Sequence, residues 1–543
     1  MTPLVHGDRE LELTRGKTLF EYADELSVRV PTSCRRDGEC HECIVEVRQG
    51  MDALSPATEA ESFLRGNYRL ACQAFVEDPD APVEFAILRR QPKILQHGVA
   101  RDFEPSPLTV RRGDYVVSLH GGDNGRVIDK YRGAVLGIAV DVGTTTVVMN
   151  LVDLESFETI HTASFENPQR FGGSDIMNRI SYDGGEFGGE LKQVIHSSVN
   201  FEIGEMVRAL KIRRRQIYEM VVVGNSTMRD IFFGLDVQSM GEKPYQSVVE
   251  EEFRAGKRST TTLMEKAGEL GIRIHPDALI YGGPLIGSHV GSDVAADLLA
   301  VAMDEAEEPV ILIDVGTNTE IVMGTKHRLL SASCPAGPAF EGGEVTYSMP
   351  GYDGAIEAIE LDDEGVKSTR VIGDAEPQGI CGSGLIDLIS ELRRTGRMNE
   401  LGVFEDGSTE FVFEPNARLT LSRADLSALA QAKSANYCGQ SIVLARYGLP
   451  LGEYKKFYLA GGFANYINVR SAAKIGFIAN VEDDRIAKVG NASLAGATIM
   501  LLSGPLRQKI EELVRKIEHV ELETEPDFFD LFVEGCQFKP MTA

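Results

Sequence analysis

Two short stretches of this 543-residue chain carry the same chemistry. Asp141-Val142-Gly143-Thr144-Thr145-Thr146 is echoed by Asp314-Val315-Gly316-Thr317-Asn318-Thr319. Glycine lets a backbone approach a ligand closely. Turn amides and the hydroxyls of Thr144, Thr145, Thr146, Thr317 and Thr319 can donate to phosphate oxygens. The carboxylates of Asp141 and Asp314 suit a hydrated magnesium ion. One such stretch says little; two in matching contexts describe two halves of a phosphate clamp. A second constellation lies near the N-terminus. Cys34, Cys40, Cys43 and Cys72 follow the pattern C-x5-C-x2-C-x28-C. Three thiolates in one loop and a fourth from a later segment form a ligand set for a 2Fe-2S cluster.

The elements that must position these groups are legible around them. Apolar runs flank each DVGT stretch, Val135 to Val140 and Val147 to Val152 in the first case, Val310 to Ile313 and Ile321 to Met323 in the second. Each reads as strand, tight polar turn, strand. Around the cysteines, Thr18 caps a helix running to Leu26. The loop from Pro31 to Cys43 contains Gly38, and Ile44, Val45 and Val47 form a strand. The order is that of a β-grasp domain. The spacing is one residue longer than the plant-type pattern and resembles the adrenodoxin-like branch of ferredoxins, with Arg69-Leu70-Ala71-Cys72-Gln73 similar to the segment that brings the fourth ligand. Zinc also takes four thiolates, but structural zinc sites usually pair two CxxC knuckles, and this chain has one. Arg35 and Arg36 beside the loop either tune or dock the cluster, or are simply solvated.

Length implies two to four domains. A net charge of −27 argues against nucleic acid and anionic membranes as partners. The polar start MTPLVHGDRELEL is not a signal peptide, and no apolar run is long enough to span a membrane. A cytoplasmic protein is expected, with its eight cysteines not paired as disulfides. The expected divisions are a ferredoxin domain over 1–88, a linker or small β subdomain over 89–133, and a two-lobed α/β domain over 134–543, its lobes meeting near 280. Gln91-Pro92, Pro105-Ser106-Pro107 and Gly121-Gly122-Asp123-Asn124-Gly125 punctuate the linker, with strand-like pieces at Leu108 to Val110 and Tyr115 to Leu119.

Further polar elbows follow in the C-terminal four hundred residues. Asn167-Pro168 leads through Gly172-Gly173 to a helix capped by Ser174, with Asp175 a candidate acid, base or magnesium contact at the cleft floor. Val221 to Val223 ends in Gly224-Asn225-Ser226. Cys334-Pro335-Ala336-Gly337 opens a glycine-rich stretch through Gly343, and Gly382-Ser383-Gly384 begins an apolar helix suited to an anion. Phe457 to Ala460 followed by Gly461-Gly462-Phe463 reads as strand, glycine turn, helix. Cys334, Cys381, Cys438 and Cys536 read as free thiols.

The paired turns resemble the superfamily of acetate kinase, sugar kinases, heat-shock chaperone ATPases and actin, in which two related lobes close over one ATP. That resemblance implies nucleotide contacts at Gly143, Thr144, Thr145, Thr146, Gly316, Thr317, Asn318, Thr319, Gly337, Gly382 and Ser383, with Gly461, Gly462 and Phe463 against adenosine. Asp141, Asp314 and Glu320 are the candidate catalytic carboxylates. The whole arrangement, with NPQRFGGSDIMNRI, VGNSTM, DVGTNTEI, CPAGPAFEGG, GICGSGLID and GGFANYI in order, resembles the reductive activators of corrinoid-dependent enzymes. It implies ATP-dependent, one-electron reduction of cob(II)amide to cob(I)amide on a corrinoid protein. It also implies a 2Fe-2S cluster on Cys34, Cys40, Cys43 and Cys72, ATP and Mg²⁺ in the cleft, an upstream low-potential electron donor, and a homodimer formed through the C-terminal domain. Larger members carry a bigger middle domain, and only about forty-five residues stand here between ferredoxin and lobes.

Rival readings are an electron-carrier or redox-sensing adaptor that binds ATP without turning it over, a sugar-kinase-like phosphotransferase, and an activator of a radical dehydratase. The last carries a 4Fe-4S cluster between subunits. A chaperone would need a peptide-binding domain after Gly490. The tail offers only a helix from Leu506 to Ile517 and a strand from His519 to Leu522.

Overall fold

The computed structural model describes residues 3–6, 9–88, 100–122, 124–462 and 464–541. Gln91-Pro92, Asp123 and Phe463 lie outside the described residues.

The N-terminal domain is a five-stranded β-grasp sheet. Its order is Arg9–Glu12, Pro3–His6, Val83–Ile87, Ile44–Gln49, Tyr68–Leu70, with Pro3–His6 parallel to Val83–Ile87. The helix Leu19–Glu25 starts where expected. Thr18 accepts from the Glu21 amide while Glu21 accepts from the Thr18 amide, a reciprocal cap. Leu19, Phe20, Tyr22 and Ala23 face the core.

Residues 100–133 are an ordered piece rather than a loose linker. Strands Thr109–Arg112, Tyr115–Ser118 and Arg126–Lys130 form an antiparallel meander. The third strand follows the glycine-rich turn, and no apolar alternation announced it. This piece is fastened by a buried charge. Glu219, fully buried in the strand Ile217–Val223, accepts from Thr109 at 2.5 Å and Arg507 at 2.7 Å, and lies 3.1 Å from His120 Nε2. These partners draw its carboxyl down to about 2 despite burial.

The remaining chain holds two six-stranded sheets. The first runs Thr159–Glu166, Thr146–Asp153, Leu136–Val142, Ile217–Val223, Leu279–Gly282, Leu263–Lys266. The second runs Arg328–Cys334, Thr319–Thr325, Val310–Val315, Lys456–Ala460, Ile486–Gly490 on one side, with Ile517–His519 added beyond Arg328–Cys334. Reading along each sheet, an antiparallel meander of three strands is continued by two parallel strands, so the duplication of the DVGT stretch is a duplication of the whole sheet core. Central strands buried on both faces account for the unbroken apolar runs.

Between the sheets, helix Ser292–Ala300 packs on helix Ala492–Leu502. Both are apolar nearly all round, as a helix enclosed on every side must be. They share one core with Val221, Leu312 and Ala460 from the two sheets. A different core runs without a break from Leu4 and Phe63 of the ferredoxin domain to Phe171, Tyr182 and Ile280 of the first lobe. The C-terminal tail departs from expectation in length. Its helices are Gly504–Val514 and Phe528–Gly535, with the strand Ile517–His519 between.

Candidate active site between the lobes

Both DVGT turns face a cavity of about 500 Å³. Asp141, Gly143, Thr144, Thr145 and Thr146 line one wall, and Asp314, Gly316, Thr317, Asn318 and Glu320 the other. Gly382, Ser383, Gly461 and Gly462 close further sides. Two expected residues do not line it. Thr319 is buried in its strand, and Gly337 serves from behind, its amide donating to the Thr317 carbonyl at 2.9 Å.

Local geometry explains two of the glycines. A Cβ on Gly143 would stand 2.6 Å from the Thr146 carbonyl oxygen, so the first turn closes only with glycine there. Gly461 has φ +101°, and a Cβ on it would meet the Val315 carbonyl oxygen at 2.2 Å. The glycine turn is therefore needed by the neighbouring turn itself, besides any room it leaves for a purine. Among the described residues the next helix is Val469–Lys474.

The first turn is held from behind by buried polar side chains. Asn167 Nδ2 donates to the Gly143 carbonyl at 2.8 Å, and Arg179 Nη2 to the Thr144 carbonyl at 2.7 Å. Asn225 Nδ2 donates to the Thr144 hydroxyl at 3.0 Å. Asn491 Nδ2 donates to Asp141 Oδ2 at 3.1 Å. Asn225 and Asn491 also cap their helices, accepting from the Met228 and Leu494 amides. Each follows Val-Gly after a strand, so Val223-Gly224-Asn225 and Val489-Gly490-Asn491 form a second echo in the sequence, missed beside the louder DVGT pair. Asp175 has a different place from the one expected. It, rather than Ser174, caps the helix Ile176–Asp183, accepting from the Asn178 amide, and it does not line the cavity. A carboxylate spent on helix N–H groups outside the cleft is no acid, base or metal contact. Arg179, one turn further on, reaches the first turn from that helix.

Carboxylates gather behind the turns. Helix Ser292–Ala300 contributes Asp293, on the cavity wall, and Asp297, fully buried. The signal for them was two acids four residues apart in an otherwise apolar helix. Asp297 hydrogen-bonds to Asp314 and accepts from Ser493 at 3.0 Å, and its Oδ2 is buried without a partner. Glu320 pairs across the strands with Asp314 and accepts from Ser333 at 3.2 Å. Burial raises the Asp141 carboxyl to about 7, helped by the Asp314 charge, and burial raises Asp314 to about 6. Burial, then the neighbouring aspartates, hold Asp293, Asp297 and Glu320 well above the usual carboxylate range. Hard oxygen donors without a cation are a fit for a divalent ion. Among the described residues no three converge on one metal position.

The four early cysteines fall into two pairs. Cys34 and Cys40 are half-buried and hydrogen-bonded to each other; Cys43 and Cys72 are buried and likewise bonded. The Cys43 thiol pulls Cys72 down to about 6, while Cys43 itself is pushed up. Thr32 Oγ1 lies 4.0 and 3.9 Å from the Cys34 and Cys40 sulfurs, and Gln73 Nε2 donates to Cys72 Sγ at 3.4 Å. A single zinc ion needs four thiolates around one point. Two sulfur pairs suit two irons, each with two thiolates. Arg36 is taken by Asp24 at 2.7 Å and by the Phe20 ring at 3.9 Å, a structural duty.

The cysteine loop rests on the first lobe. His41 stacks on Phe63 at 4.2 Å and pairs with Glu190 at 3.0 Å. Gln193 donates to the Cys40 carbonyl at 3.3 Å, and Tyr182 OH to the Phe63 carbonyl at 2.6 Å. Phe171 lies edge-on to both Phe63 and Tyr182. Segment 167–183 thus touches the first turn at one end and the ferredoxin domain at the other.

A β-grasp domain with four paired thiols, seated on a two-lobed α/β domain of the actin-like class, defines an iron–sulfur protein built around a cleft between two copies of one turn. Comparison with known proteins narrows this. Residues 5–77 match the 2Fe-2S iron-sulfur cluster binding domain, 136–306 the RACo middle region, and 308–543 the C-terminal ASKHA domain of RACo. The chain is 30% identical over 430 residues to the corrinoid activation enzyme RamQ of Eubacterium limosum, covering 74% of this chain and 70% of the relative. It is 23% identical over 434 residues to a Co(II) methylated amine-specific corrinoid protein reductase of Methanosarcina barkeri, covering 73% and 76%. The solved structure of a reductive activator for corrinoid, iron-sulfur protein matches with a TM-score of 0.72 and 26% identity over 100% of this chain and 99% of that one. The chain belongs to the family of reductive activators of corrinoid proteins. The matches correct one expectation: no middle domain is missing, because the family's middle region is the first lobe itself.

Proposed function

We propose that this protein reduces the cobalt of a partner corrinoid protein from cob(II)amide to cob(I)amide, one electron at a time, and that ATP turnover between the lobes drives the cycle. Cys34, Cys40, Cys43 and Cys72 would hold the 2Fe-2S cluster, which supplies the electron. The observation that carries the reading is a physical continuity: the phosphate turn at Gly143 and Thr144 and the loop bearing Cys40 are braced by one segment, through Asn167, Arg179, Phe171 and Tyr182. A plain electron carrier has no use for a nucleotide cleft tied to its cluster loop.

The energetics call for such a tie. For a one-electron step about 59 mV of mismatch costs a factor of ten, so about 100 mV costs roughly 2.3 kcal/mol. An uphill electron transfer therefore needs a coupled downhill event. Closing two lobes on a nucleotide supplies a bistable element. Thr144, Thr145 and Thr317 would donate to phosphate oxygens, and Asp141 and Asp314 would hold Mg²⁺ through water, the ion displacing the protons that burial keeps on them. The names of the relatives support the client class. A cytoplasmic setting and an external low-potential donor complete the reading. The exposed apolar side chains Phe529 and Val533, one turn apart on the helix Phe528–Gly535, support a homodimer through the C-terminal domain.

The test is an anaerobic titration in which reduced protein is mixed with a cob(II)-loaded corrinoid protein, with and without Mg-ATP. Growth of the cob(I) absorption band only with ATP, and its loss in Cys40→Ala, is the expected outcome. A reducible cluster that leaves every corrinoid partner as cob(II), with or without ATP, would overturn the reading in favour of the adaptor.

A further inference from the structure

The three carboxylates expected to be catalytic are all engaged elsewhere. Asp141 accepts from Asn491, Asp314 hydrogen-bonds to Asp297, and Glu320 is buried against Ser333. A fourth carboxylate on the same cavity wall bridges the two turns. Glu341 lies in Phe340-Glu341-Gly342-Gly343, in the loop that leaves the strand Arg328–Cys334. Its Oε2 accepts from the Thr145 hydroxyl at 3.2 Å and also from the Thr317 hydroxyl, and the two hydroxyls are 3.1 Å apart. Thr145 belongs to the first turn and Thr317 to the second. Among the described residues, Glu341 is the one carboxylate bonded to both, at the point where the lobes meet.

Any phosphate held by both turns sits against that carboxylate. Among the described residues no lysine or arginine is paired with it; burial raises its carboxyl, the two threonine hydroxyls oppose that, and the charge of Asp314 adds to it. A carboxylate with no cation beside it is free to take a proton. When phosphate oxygens claim the hydroxyl protons, which can rotate to meet them, Glu341 loses its acceptor duties and faces whatever lies between it and the phosphate.

We infer that Glu341 is the catalytic residue that orients the hydrolytic water and accepts its proton. This rests on the proposed ATP hydrolysis. The water oxygen bonds to the terminal phosphorus, and the bond from that phosphorus to the bridging oxygen breaks, its electron pair leaving with ADP. The proton goes to Glu341 and then to solvent, leaving ADP and inorganic phosphate. Asp141 and Asp314 would hold the cation, and Glu320 pairs with Asp314 on the neighbouring strand.

The experiment compares the full-length wild type with Glu341→Gln and Glu341→Asp, measuring Mg-ATP affinity by calorimetry and kcat and KM by phosphate release. Glutamine keeps the hydrogen-bonding shape without the base, so affinity stays within about threefold while kcat falls by about 100-fold or more. Glu341→Ala, rescued in kcat by added formate, supports the same assignment should glutamine disturb the fold. Hydrolysis by Glu341→Gln within about threefold of wild type, or tighter ATP binding with kcat unchanged, overturns the assignment; the second result would make Glu341 a mere competitor of phosphate for the two hydroxyls. A wild type that binds ATP but never hydrolyses it removes the underlying reading as well, and so is distinguishable from either.

Discussion

The two DVGT turns start from the same four residues and end in unlike surroundings. The first is backed by four side chains, Asn167 and Arg179 from segment 167–183, Asn225 and Asn491. The second is backed by main chain, the Gly337 amide on Thr317 and the Gly316 amide on the Asn318 carbonyl, with Glu341 in front. Their aspartates differ in the same sense. Asp141 receives a neutral amide, whereas Asp314 faces a second carboxyl, Asp297. A duplicated motif has thus been divided into an anchored half, through which the ferredoxin domain is reached, and a half faced by the Glu341 loop.

The largest expected effect that tests this division is on stability against pH. Asp141 and Asp314 bind protons in the folded protein that an unfolded chain has lost above about pH 4. The folded state holds more protons, so stability falls as pH rises, through Asp314 near 6 and Asp141 near 7. Nucleotide-free protein should lose on the order of a few kcal/mol between pH 5 and 8, measured by urea unfolding. Asp314→Asn should flatten the lower part of the decline and Asp141→Asn the upper. A curve flat over this range in the wild type would mean the cleft is better solvated than its burial implies.

Next in size is the anchor. Arg179 is fully buried, and its guanidinium holds the Thr144 and Gly173 carbonyls. Arg179→Met should cost about 3 kcal/mol, since buried acceptors lose their donors, and should weaken ATP binding by about tenfold. Gly337→Ala, behind the second turn, should weaken it far less, because a Cβ there meets nothing within 4 Å, though φ +79° adds some strain. Equal losses would erase the distinction between anchored and open halves.

Much of this could be seen in the sequence, for reasons that also set its reach. A strand, turn and strand are local, so the DVGT echo gave both sheet cores, and cysteine spacing gave the β-grasp domain. The capping box at Thr18 was readable because all its atoms lie within four residues. Glu341 was visible only as one acid in a glycine-rich loop, and nothing local says that Thr145, 196 residues earlier, reaches it. Asn491 and Asp141 are 350 residues apart. Asp175 misled for the converse reason: beside a glycine pair an acid reads as a ligand, whereas its partner was the amide three residues on.

The Val-Gly-Asn echo gives a smaller test. Asn225→Ala and Asn491→Ala should each cost about 1 kcal/mol from the lost helix cap. Asn491→Ala should also raise the Asp141 pKa further, visible as a shift of the pH decline to higher pH, while Asn225→Ala should not. The smallest expected effect is at the rim of the docked ferredoxin domain. Glu190→Gln removes a partly exposed pair with His41 and should cost less than about 1 kcal/mol. A larger loss of protection in the segment 38–43 by hydrogen exchange would show that this pair, rather than the Phe63 contact, holds the cysteine loop down.

The unbroken core from Phe63 to Ile280 has a consequence for how the molecule melts. A domain sharing its interior with a neighbour does not unfold alone, and cooperative units follow contiguous packing rather than domain names. The ferredoxin domain and first lobe should therefore come apart in one calorimetric transition, with the second lobe free to give its own. The visible colour of the iron–sulfur centre would then bleach in step with first-lobe unfolding, turning the pigment into a built-in thermometer for the anchored half of the cleft.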